Sequence, residues 1–294
     1  MQKIIPHLWF DTEAKEAAAF YASIFPDSRV VDTAVITDTP SGDCDIVSFE
    51  LFGTSFQAIS AGPYFTFNSS ISFSVLSNSQ EEIETWWAKL SEGGTALMPL
   101  GEYPWSKAYG WTTDKYGLSW QLMLTDAPIT QRIIPSLMFS GAVMGQAEEA
   151  MNMYASIFPD SSIGPVSYYV EGEAGEGREG KVSHGPFTLA GYNLIAMDSG
   201  VDHDIPFSEA VSLVVSCEDQ TEMDMYTEAL SAVPESEQCG WLKDKFGVSW
   251  QIVPTTMNKM MRDTDKERLA RVVQVMLKMK RLNLAELQAA YDGE

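Results

Sequence analysis

The chain has 294 residues and a formal net charge of −22, with 45% hydrophobic and 20% charged residues. This balance is typical of a globular protein of about two domains and excludes a collagen-like or disordered chain. Nucleic acid is excluded as a partner, because its binding depends on Lys and Arg at the phosphates. A membrane is excluded too, because no apolar run approaches the roughly 18 residues of a spanning helix. Three dispersed cysteines and an N-terminus without a signal-peptide layout predict a cytoplasmic protein.

The first predicted strand is IIPHLWF, residues 4–10, and its side chains alternate between two faces. His7 and Trp9 therefore share one face. An amphipathic helix follows, with Ala17, Tyr21 and Ile24 on its apolar stripe, and Pro26 ends it. The strands that complete a β-α-β-β-β module are predicted over roughly 29–37, 44–52 and 54–61.

A second module begins with the strand SISFSVL, residues 70–76, and continues with a helix over 78–90. Its last strand is predicted over 118–124. The chain then repeats this order about 130 residues further on. The stretches that recur are QKIIPHLWF as QRIIPSLMF, YASIFPDS unchanged, and GWTTDKYGLSWQL as GWLKDKFGVSWQI. The sequence therefore predicts two duplicated domains, 1–126 and 130–254.

The remaining residues, 255–294, are predicted to form a helical extension. TDKE, residues 264–267, has the pattern of a capping box, and NLAE, residues 283–286, opens a second helix. Apolar stripes on both helices predict that this extension packs on the repeats or on a partner subunit.

Most of the recurring motifs have a structural interpretation. YASIFPDS is predicted to be a helix end followed by a turn. DKYG and DKFG are predicted turns in which glycine adopts a positive φ. Trp120 and Trp250 are predicted to be core residues, facing away from the neighbouring glutamines. The polar cluster at Asp198, Asp202, His203 and Asp204 is interpreted as a solvated turn.

Paired modules that end in D-x-x-G-x-x-W-Q resemble the vicinal oxygen chelate superfamily, which includes glyoxalase I and the bleomycin-resistance proteins. IIPHLWFDTEAKEAAAFYASIFPDS and DKYGLSWQLM are more closely similar to its PhnB-like branch, often labelled demethylubiquinone methyltransferase-like. The resemblance implies an α+β fold of four βαβββ modules, which form two vicinal-oxygen-chelate domains followed by the helical tail. It also implies bowl-shaped sheets, and single-repeat relatives are expected to dimerise. The repeats are therefore expected to pair within the chain or as a homodimer.

Metal-using members of the superfamily hold a divalent cation with His, Gln and Glu. The positions that the resemblance assigns to these ligands fall on His7 and Ser136, on or near Ser72 and Ser212, and on Gln121 and Gln251. A catalytic zinc- or nickel-type site normally takes three or more His, Cys or carboxylate ligands. Amides and hydroxyls are poor replacements, so we predict neither a metal ion nor another cofactor.

The favoured function is metal-independent binding of a small organic molecule in these bowls, which suits a lining of aromatic and uncharged polar groups. The predicted ligand-binding residues are His7, Trp9, Ser72, Gln121, Ser136, Met138, Ser212 and Gln251. Two alternatives stay open: a divalent-metal enzyme acting through His7, and a structural or regulatory protein without a ligand. The sequence does not decide whether the protein is an enzyme. The methyltransferase label finds no support, because neither repeat has a Gly-rich loop between strand and helix.

Overall fold

The computed structural model describes residues 2–294 and contains two separate sheets. In the first half the elements are β1 (Ile4–Phe10), α1 (Ala14–Ile24), β2 (Arg29–Thr39), β3 (Gly42–Leu51), β4 (Thr54–Ser60), β5 (Ile71–Ser77), α2 (Gln80–Ser91), β6 (Thr95–Tyr103), β7 (Ser106–Thr113) and β8 (Ser119–Leu124). In the second half they are β9 (Ile133–Phe139), α3 (Ala147–Ile157), β10 (Ser162–Ile163), β11 (Ser167–Tyr168), β12 (Val182–Leu189), β13 (Tyr192–Asp198), β14 (Val211–Cys217), α4 (Gln220–Leu230), β15 (Trp241–Lys243), β16 (Ser249–Pro254), α5 (Met257–Met260), α6 (Lys266–Met276) and α7 (Leu284–Asp292).

The predicted α+β class, the four modules and the helical tail are confirmed, with two local differences. In the third module the first strand after the helix is reduced to the two-residue pieces β10 and β11. In the fourth module the short segment before Gly240 leaves only β15 and β16 after the helix, and a 3₁₀ turn, Pro234–Ser236, takes the place of a longer strand. Both differences lie where the second repeat gains or loses residues relative to the first.

The first compact unit, called unit 1, contains residues up to Ala22, Ser28–Thr66 and Ser208–Glu294. Its seven-stranded sheet has the order β15-β16-β14-β1-β4-β3-β2. At its centre β1 pairs antiparallel with β14, so that His7 lies opposite Ser212. On its other side β1 pairs parallel with β4, with His7 opposite Gln57.

The second compact unit, called unit 2, contains Ser23–Asp27 and Phe67–Phe207. Its sheet follows the path β10-β12-β13-β9-β5-β8-β7-β6, and β11 pairs with β12. Here β5 pairs antiparallel with β9, which places Ser72 opposite Ser136.

Each sheet thus combines the first module of one repeat with the second module of the other. The opening strands of two modules pair because each would otherwise leave an edge of unpaired backbone N–H and C=O groups. Pairing the two strands satisfies these groups. The boundaries 1–126 and 130–254 follow the sequence repeats and stay a prediction about domains.

One face of each sheet carries the hydrophobic core. In unit 1, Ile4, Leu8 and Phe10 of β1 are buried, as are Tyr21 of α1 and Trp250 of β16. Burying large apolar side chains of this kind supplies most of the stabilisation of such a layer. Trp120 is equally buried in unit 2, so the prediction that both tryptophans are core residues is confirmed.

The D-x-x-G-x-x-W motif serves the fold in both units. The Asp244 carboxylate accepts hydrogen bonds from the backbone N–H of Phe246 and Val248, and its second oxygen accepts from Trp250 Nε1 at 2.9 Å. Asp114 makes the same three kinds of contact in unit 2. Gly117 and Gly247 have φ of 86° and 89°, which confirms the predicted turns.

YASIFPDS also has its predicted form. The helices α1 and α3 end at the isoleucine of each copy, and Asp27 and Asp160 then turn the chain with φ of 51° and 49°. Aspartate tolerates this left-handed conformation better than most residues do.

The tail belongs to unit 1 and packs on the repeats, as predicted. Asn283 caps α7 by accepting from the N–H of Glu286, in agreement with the sequence. Helix α6, however, is capped by Asp265 and not by Thr264. The carboxylate of Asp265 reaches two free N–H groups, those of Glu267 and Arg268, and is the better acceptor.

None of the helices in the described part of the chain has the length and apolar character needed to cross a bilayer.

Candidate functional site

A cavity of about 170 Å³ lies on one face of the unit 1 sheet, and we call it the inner chamber. The side chains that reach it share a face because strand residues alternate. Adjacent strands in register bring together residues far apart in the sequence. The inner chamber is lined by His7, Trp9, Gln57, Trp241 and Gln251 from the sheet and by Met257, Met261, Arg262 and Met276 from the tail.

His7 is the most unusual group in the inner chamber. Its side chain is 6% exposed, and its Nδ1 atom is buried without a hydrogen-bond partner among residues 2–294. Burial lowers the pKa of His7 to about 3, so the imidazole is neutral at physiological pH. The ring meets Trp241 edge-on, with centroids 5.4 Å apart. A buried polar atom without a partner is unfavourable, and among the described residues Arg178 Nε and Tyr192 Oη in unit 2 share this property.

The neighbouring polar groups are held in place by bonds to the scaffold. Gln251 Nε2 donates to Ser212 Oγ at 2.9 Å, which fixes the amide beneath the cavity. Trp9 Nε1 donates to the carbonyl of Gly62 at 2.8 Å, which fixes the indole ring. Trp9 also packs edge-on against Trp241, with centroids 6.0 Å apart. The chamber is therefore rigid on its sheet side.

A second cavity of about 570 Å³, the outer chamber, adjoins the first. Six residues line both chambers and lie where the chambers meet: Trp9, Ile36, Ile59, Cys239, Trp241 and Met276. The outer chamber is mainly apolar. It is lined by Ile36, Ala61, Tyr64, Phe65, Leu242 and Leu277, with Glu209 and Lys243 at its charged edge.

The charged groups of both chambers occur in pairs. Arg262 Nε lies 2.8 Å from the Asp32 carboxylate, and Arg262 also donates to Ser48 Oγ at 3.2 Å. Lys243 Nζ lies 2.7 Å from Glu209. Among the described residues that line the chambers, these four are the charged ones, and their charges sum to zero.

On the corresponding face of the unit 2 sheet, buried polar side chains are hydrogen-bonded to one another. Tyr109 Oη donates to Gln121 Oε1 at 2.8 Å, and Gln121 Nε2 donates to Ser72 Oγ at 2.7 Å. Ser74 and Ser136 share a hydrogen bond of 2.8 Å. Burial raises the pKa of the Tyr109 hydroxyl. The side chains of Tyr109, Gln121, Ser72, Ser74 and Ser136 thus have hydrogen-bond partners within this face.

The structure therefore separates the eight predicted ligand-binding residues into two groups. His7, Trp9 and Gln251 line the inner chamber, and Ser212 lies beneath it as the partner of Gln251. Ser72, Gln121 and Ser136 belong to the hydrogen-bonded face of unit 2. Met138 lies on the same strand as Ser136 and is 4% exposed.

Sequence reasoning missed Gln57, Trp241 and the tail methionines. Gln57 enters the site because β4 runs parallel to β1, a pairing that no local pattern indicates. Trp241 had a usable signal, since it directly follows the glycine that opens the GWLKDKFG repeat. The methionines reach the cavity through the packing of the tail, which the helical stripe predicts only in general terms.

A metal ion does not fit the residues present. The inner chamber offers one imidazole, the thiol of Cys239 and three amides, those of Gln57, Gln251 and Asn258. Its carboxylate, Asp32, is engaged by Arg262. Within residues 2–294, no three His, Cys, Asp or Glu side chains are grouped closely enough to hold a metal ion. Amides and sulfur atoms of methionine make a weak site for the divalent cations that prefer His and carboxylate.

The cluster near Asp198 is different from the solvated turn that we predicted. The Asp198 side chain is 1% exposed and accepts hydrogen bonds from the N–H groups of Gly145, Ala147 and Val182. It is a structural anchor for the loop before α3 and for the start of β12. Asp202 is exposed, and its carboxylate lies 3.4 Å from Arg178.

The paired modules and the cavity-bearing sheet define a glyoxalase-type vicinal oxygen chelate fold. The solved structure of a single-substitution mutant of glyoxalase I from Zea mays matches 88% of this chain and 96% of its own, with a TM-score of 0.57. Its sequence is 10% identical, so this likeness concerns the fold alone.

The sequence profile of the 3-demethylubiquinone-9 3-methyltransferase family matches residues 2–123 and again 131–253. The chain therefore belongs to this family, the PhnB-like branch of the superfamily, with the family domain present twice.

Two solved single-repeat structures also match. A PhnB protein from Bacillus cereus is 40% identical and covers 42% of this chain and 100% of its own, with a TM-score of 0.40. Protein PA1353 from Pseudomonas aeruginosa is 25% identical and covers 42% of this chain and 98% of its own, with a TM-score of 0.38. No curated protein matches the chain at a significant level.

Proposed function

We propose that unit 1 binds one small organic molecule in its inner and outer chambers, without a metal ion. The observation that carries the proposal is the inner chamber, a concave and largely apolar cavity whose lining includes the polar side chains of His7, Gln57 and Gln251. One of these, His7, has a buried Nδ1 atom without a hydrogen-bond partner among the described residues. Concave, largely apolar sites with a few placed polar groups are typical of small-molecule binding.

The asymmetry between the units supports a single site. The unit 2 face uses Tyr109, Gln121 and Ser72 to satisfy one another. In unit 1 the residue that corresponds to Tyr109 is Cys239, whose thiol points to the carbonyl of Met276 at 3.4 Å. The proposed stoichiometry is therefore one ligand per chain.

Methyl transfer, which the family description names, is not part of the proposal. A nucleotide-type methyl donor calls for a G-x-G-x-x-G loop between a strand and a helix. Neither repeat has that spacing, since the loop between β9 and α3 contains only Gly141 and Gly145. A neutral imidazole with a strongly lowered pKa is also a weak general base at pH 7.

A thermal-shift screen with a broad panel of organic compounds tests the proposal, because a ligand that binds only the folded state raises the melting temperature. Elemental analysis of the untagged protein accompanies it. The expected result is stabilisation by some compounds and less than stoichiometric metal. Stoichiometric Ni, Zn, Mn or Fe that is lost in His7→Ala would favour the metal enzyme, and a panel without any stabilising compound would favour a protein without a ligand.

A further inference from the structure

The tail forms one wall of the inner chamber, and we call its residues 256–262 the cover segment. Four side chains of this segment line the chamber: Met257, Asn258, Met261 and Arg262. The other wall is the sheet, whose polar and aromatic groups are held by bonds to the scaffold. The two walls of the chamber differ in how firmly they are held.

The later part of the tail, residues 277–284, is firmly attached to the repeats, and we call it the anchor segment. The backbone N–H groups of residues 239 and 240 donate to the carbonyls of residues 279 and 280, each at 2.9 Å. Arg281 adds a bidentate pair with the Glu237 carboxylate, at 2.9 and 2.8 Å. Pairs with this two-bond geometry are stronger and more directional than single contacts.

The cover segment is held more weakly. Its backbone N–H groups from Lys259 to Arg262 donate to carbonyls of the segment itself. In the described part of the chain, its polar contacts with the sheet are those of Arg262, which reaches Asp32 at 2.8 Å and Ser48 at 3.2 Å. Its most deeply buried side chain is Met260, and methionine is flexible and repacks readily.

Both ends of the cover segment are tied to the rest of unit 1. Just before it, the N–H of Thr255 donates to the carbonyl of Cys217 at 2.8 Å. Just after it, the Tyr291 hydroxyl donates to the carboxylate of Asp263. A short segment with few bonds between two fixed points can open locally while the remainder stays folded.

The passage from the outer chamber into the inner chamber is less easily widened. Trp9, which lies where the chambers meet, is fixed by its bond to the carbonyl of Gly62. Cys239, at the same place, donates its thiol to the carbonyl of Met276, and its backbone N–H bonds the anchor segment. The cover segment is therefore the boundary of the inner chamber that moves at the lowest cost.

We infer that the cover segment is a lid, which opens to admit a ligand and is latched shut by the contacts of Arg262 with Asp32 and Ser48. A bound ligand would touch Met257 and Met261 only when the lid is closed, so occupancy favours closure. The inference rests on the proposed function, since it concerns access to the same site, but the movement is measured without a ligand.

Hydrogen exchange of the full chain, without any added compound, tests the movement. The amides from Met260 to Arg262 report on the lid, and those of Cys239 and Gly240 report on the anchor segment. After correction for intrinsic rates, the lid amides are expected to exchange at least about tenfold faster, because local opening is enough to expose them. Equal rates in the two groups would overturn the inference.

Two matched variants and a salt series locate the latch. Arg262→Gln should raise the exchange of the lid amides about two- to fivefold and leave the anchor amides unchanged, and Arg281→Gln should do the reverse. Raising the salt concentration from about 0.05 M to about 1 M screens the latch, so it should speed lid exchange in the unmodified protein and have little effect in Arg262→Gln. Lid exchange that responds neither to the substitution nor to salt would contradict a latch at Arg262.

The most stabilising compound of the thermal-shift screen separates this inference from the proposed function. At saturation it should slow lid exchange at least about threefold, because opening then competes with binding. Thermal stabilisation without slower lid exchange would overturn the lid and leave the binding function standing. A panel without any stabilising compound would remove the proposed function and the lid with it.

Discussion

The two sheets of this protein carry the same motifs at corresponding positions, and a few substitutions give the two faces different properties. In unit 2, Tyr109 and Ser72 hold Gln121 from both sides. In unit 1, Gln251 keeps the serine partner, Ser212, but Cys239 stands where the tyrosine stands in unit 2. The polar face that is closed in one unit is therefore open to a cavity in the other.

The strand that opens each repeat shows the same contrast. IIPHLWF places His7 and Trp9 in the inner chamber, whereas IIPSLMF places Ser136 in a hydrogen bond with Ser74 and buries Met138. The comparison teaches that the motifs shared by both repeats maintain the fold, and that function is to be sought where the repeats differ.

The largest expected effect is the loss of stability when the tryptophan of the D-x-x-G-x-x-W motif is replaced. This loss should be equal in both units. Trp120→Ala and Trp250→Ala each remove a fully buried indole and leave a buried aspartate oxygen without its Nε1–H donor. We expect each variant to lose about 3–5 kcal/mol of unfolding free energy, or to fail to fold. Chemical denaturation measures it, with the exposed Trp105→Ala as control. A loss below about 1 kcal/mol in one unit would show that the motif is not equivalent in the two.

The second effect is specific to unit 1 and depends on pH. Burial lowers the pKa of His7 from 6.5 to about 3, so the folded state binds fewer protons than the unfolded state between these values. The contribution of His7 to the free energy of unfolding is fully present above pH 6.5. It is lost as the pH falls toward 3, by on the order of a few kcal/mol in total. His7→Phe should therefore show a shallower fall in unfolding free energy between about pH 6.5 and about pH 5.

The pKa shifts of two other groups determine how much of the pH dependence should remain in His7→Phe. Burial also lowers the pKa of His184, so part of the slope should survive in His7→Phe. Glu237, whose pKa is lowered to about 2 by hydrogen bonding to Arg281, contributes only below its ordinary value of 4.5. Identical slopes for the variant and the unmodified protein would mean that His7 titrates normally.

The third prediction compares substitutions of the equivalent glutamines of the two units, Gln121 and Gln251. Gln121→Leu leaves the Tyr109 hydroxyl and Ser72 without their partner and should destabilise the protein by about 1–3 kcal/mol. It should not change ligand affinity. Gln251→Leu removes a polar group from the inner chamber and should weaken binding of the most stabilising compound of the thermal-shift screen by about fivefold. Denaturation and calorimetry on both variants give the comparison, and weaker binding in Gln121→Leu would place a site in unit 2.

The smallest effect concerns the ion pair between Arg262 and Asp32, which both line the inner chamber. Arg262 and Asp32 are 45% and 38% exposed, so their attraction is screened by water. Arg262→Met should cost less than about 1 kcal/mol in unfolding free energy. The variant leaves Asp32 without its cation, so a cationic probe such as 4-pentylbenzylamine should gain affinity relative to a neutral compound that the thermal-shift screen identifies. An unchanged ratio would separate this pair from the site.

Much of the fold could be predicted from the sequence, because its signals are local and occur twice. The strand pattern of IIPHLWF, the turns at Gly117 and Gly247 and the cap at Asn283 depend on neighbours within a few residues. The buried tryptophans followed from strand alternation once the glutamines were assigned to the other face.

The remainder depends on long-range pairing, which a single sequence does not specify. The pairing of β1 with β14 and the approach of Gln57 to His7 join residues from different modules or distant strands. The burial of Asp198 depends on N–H groups more than 15 residues away. For the site, the sequence supplied His7, Trp9 and Gln251, but it could not show that the Nδ1 atom of His7 is unpaired or that unit 2 is closed.

The most direct test of the account is a calorimetric titration of chelator-treated, metal-free protein with the compound that raises the melting temperature most in the thermal-shift screen. The account predicts binding of one molecule per chain, with the same affinity before and after chelation. Binding that disappears with chelation and returns on addition of a divalent cation would contradict it, as would two equivalent sites per chain.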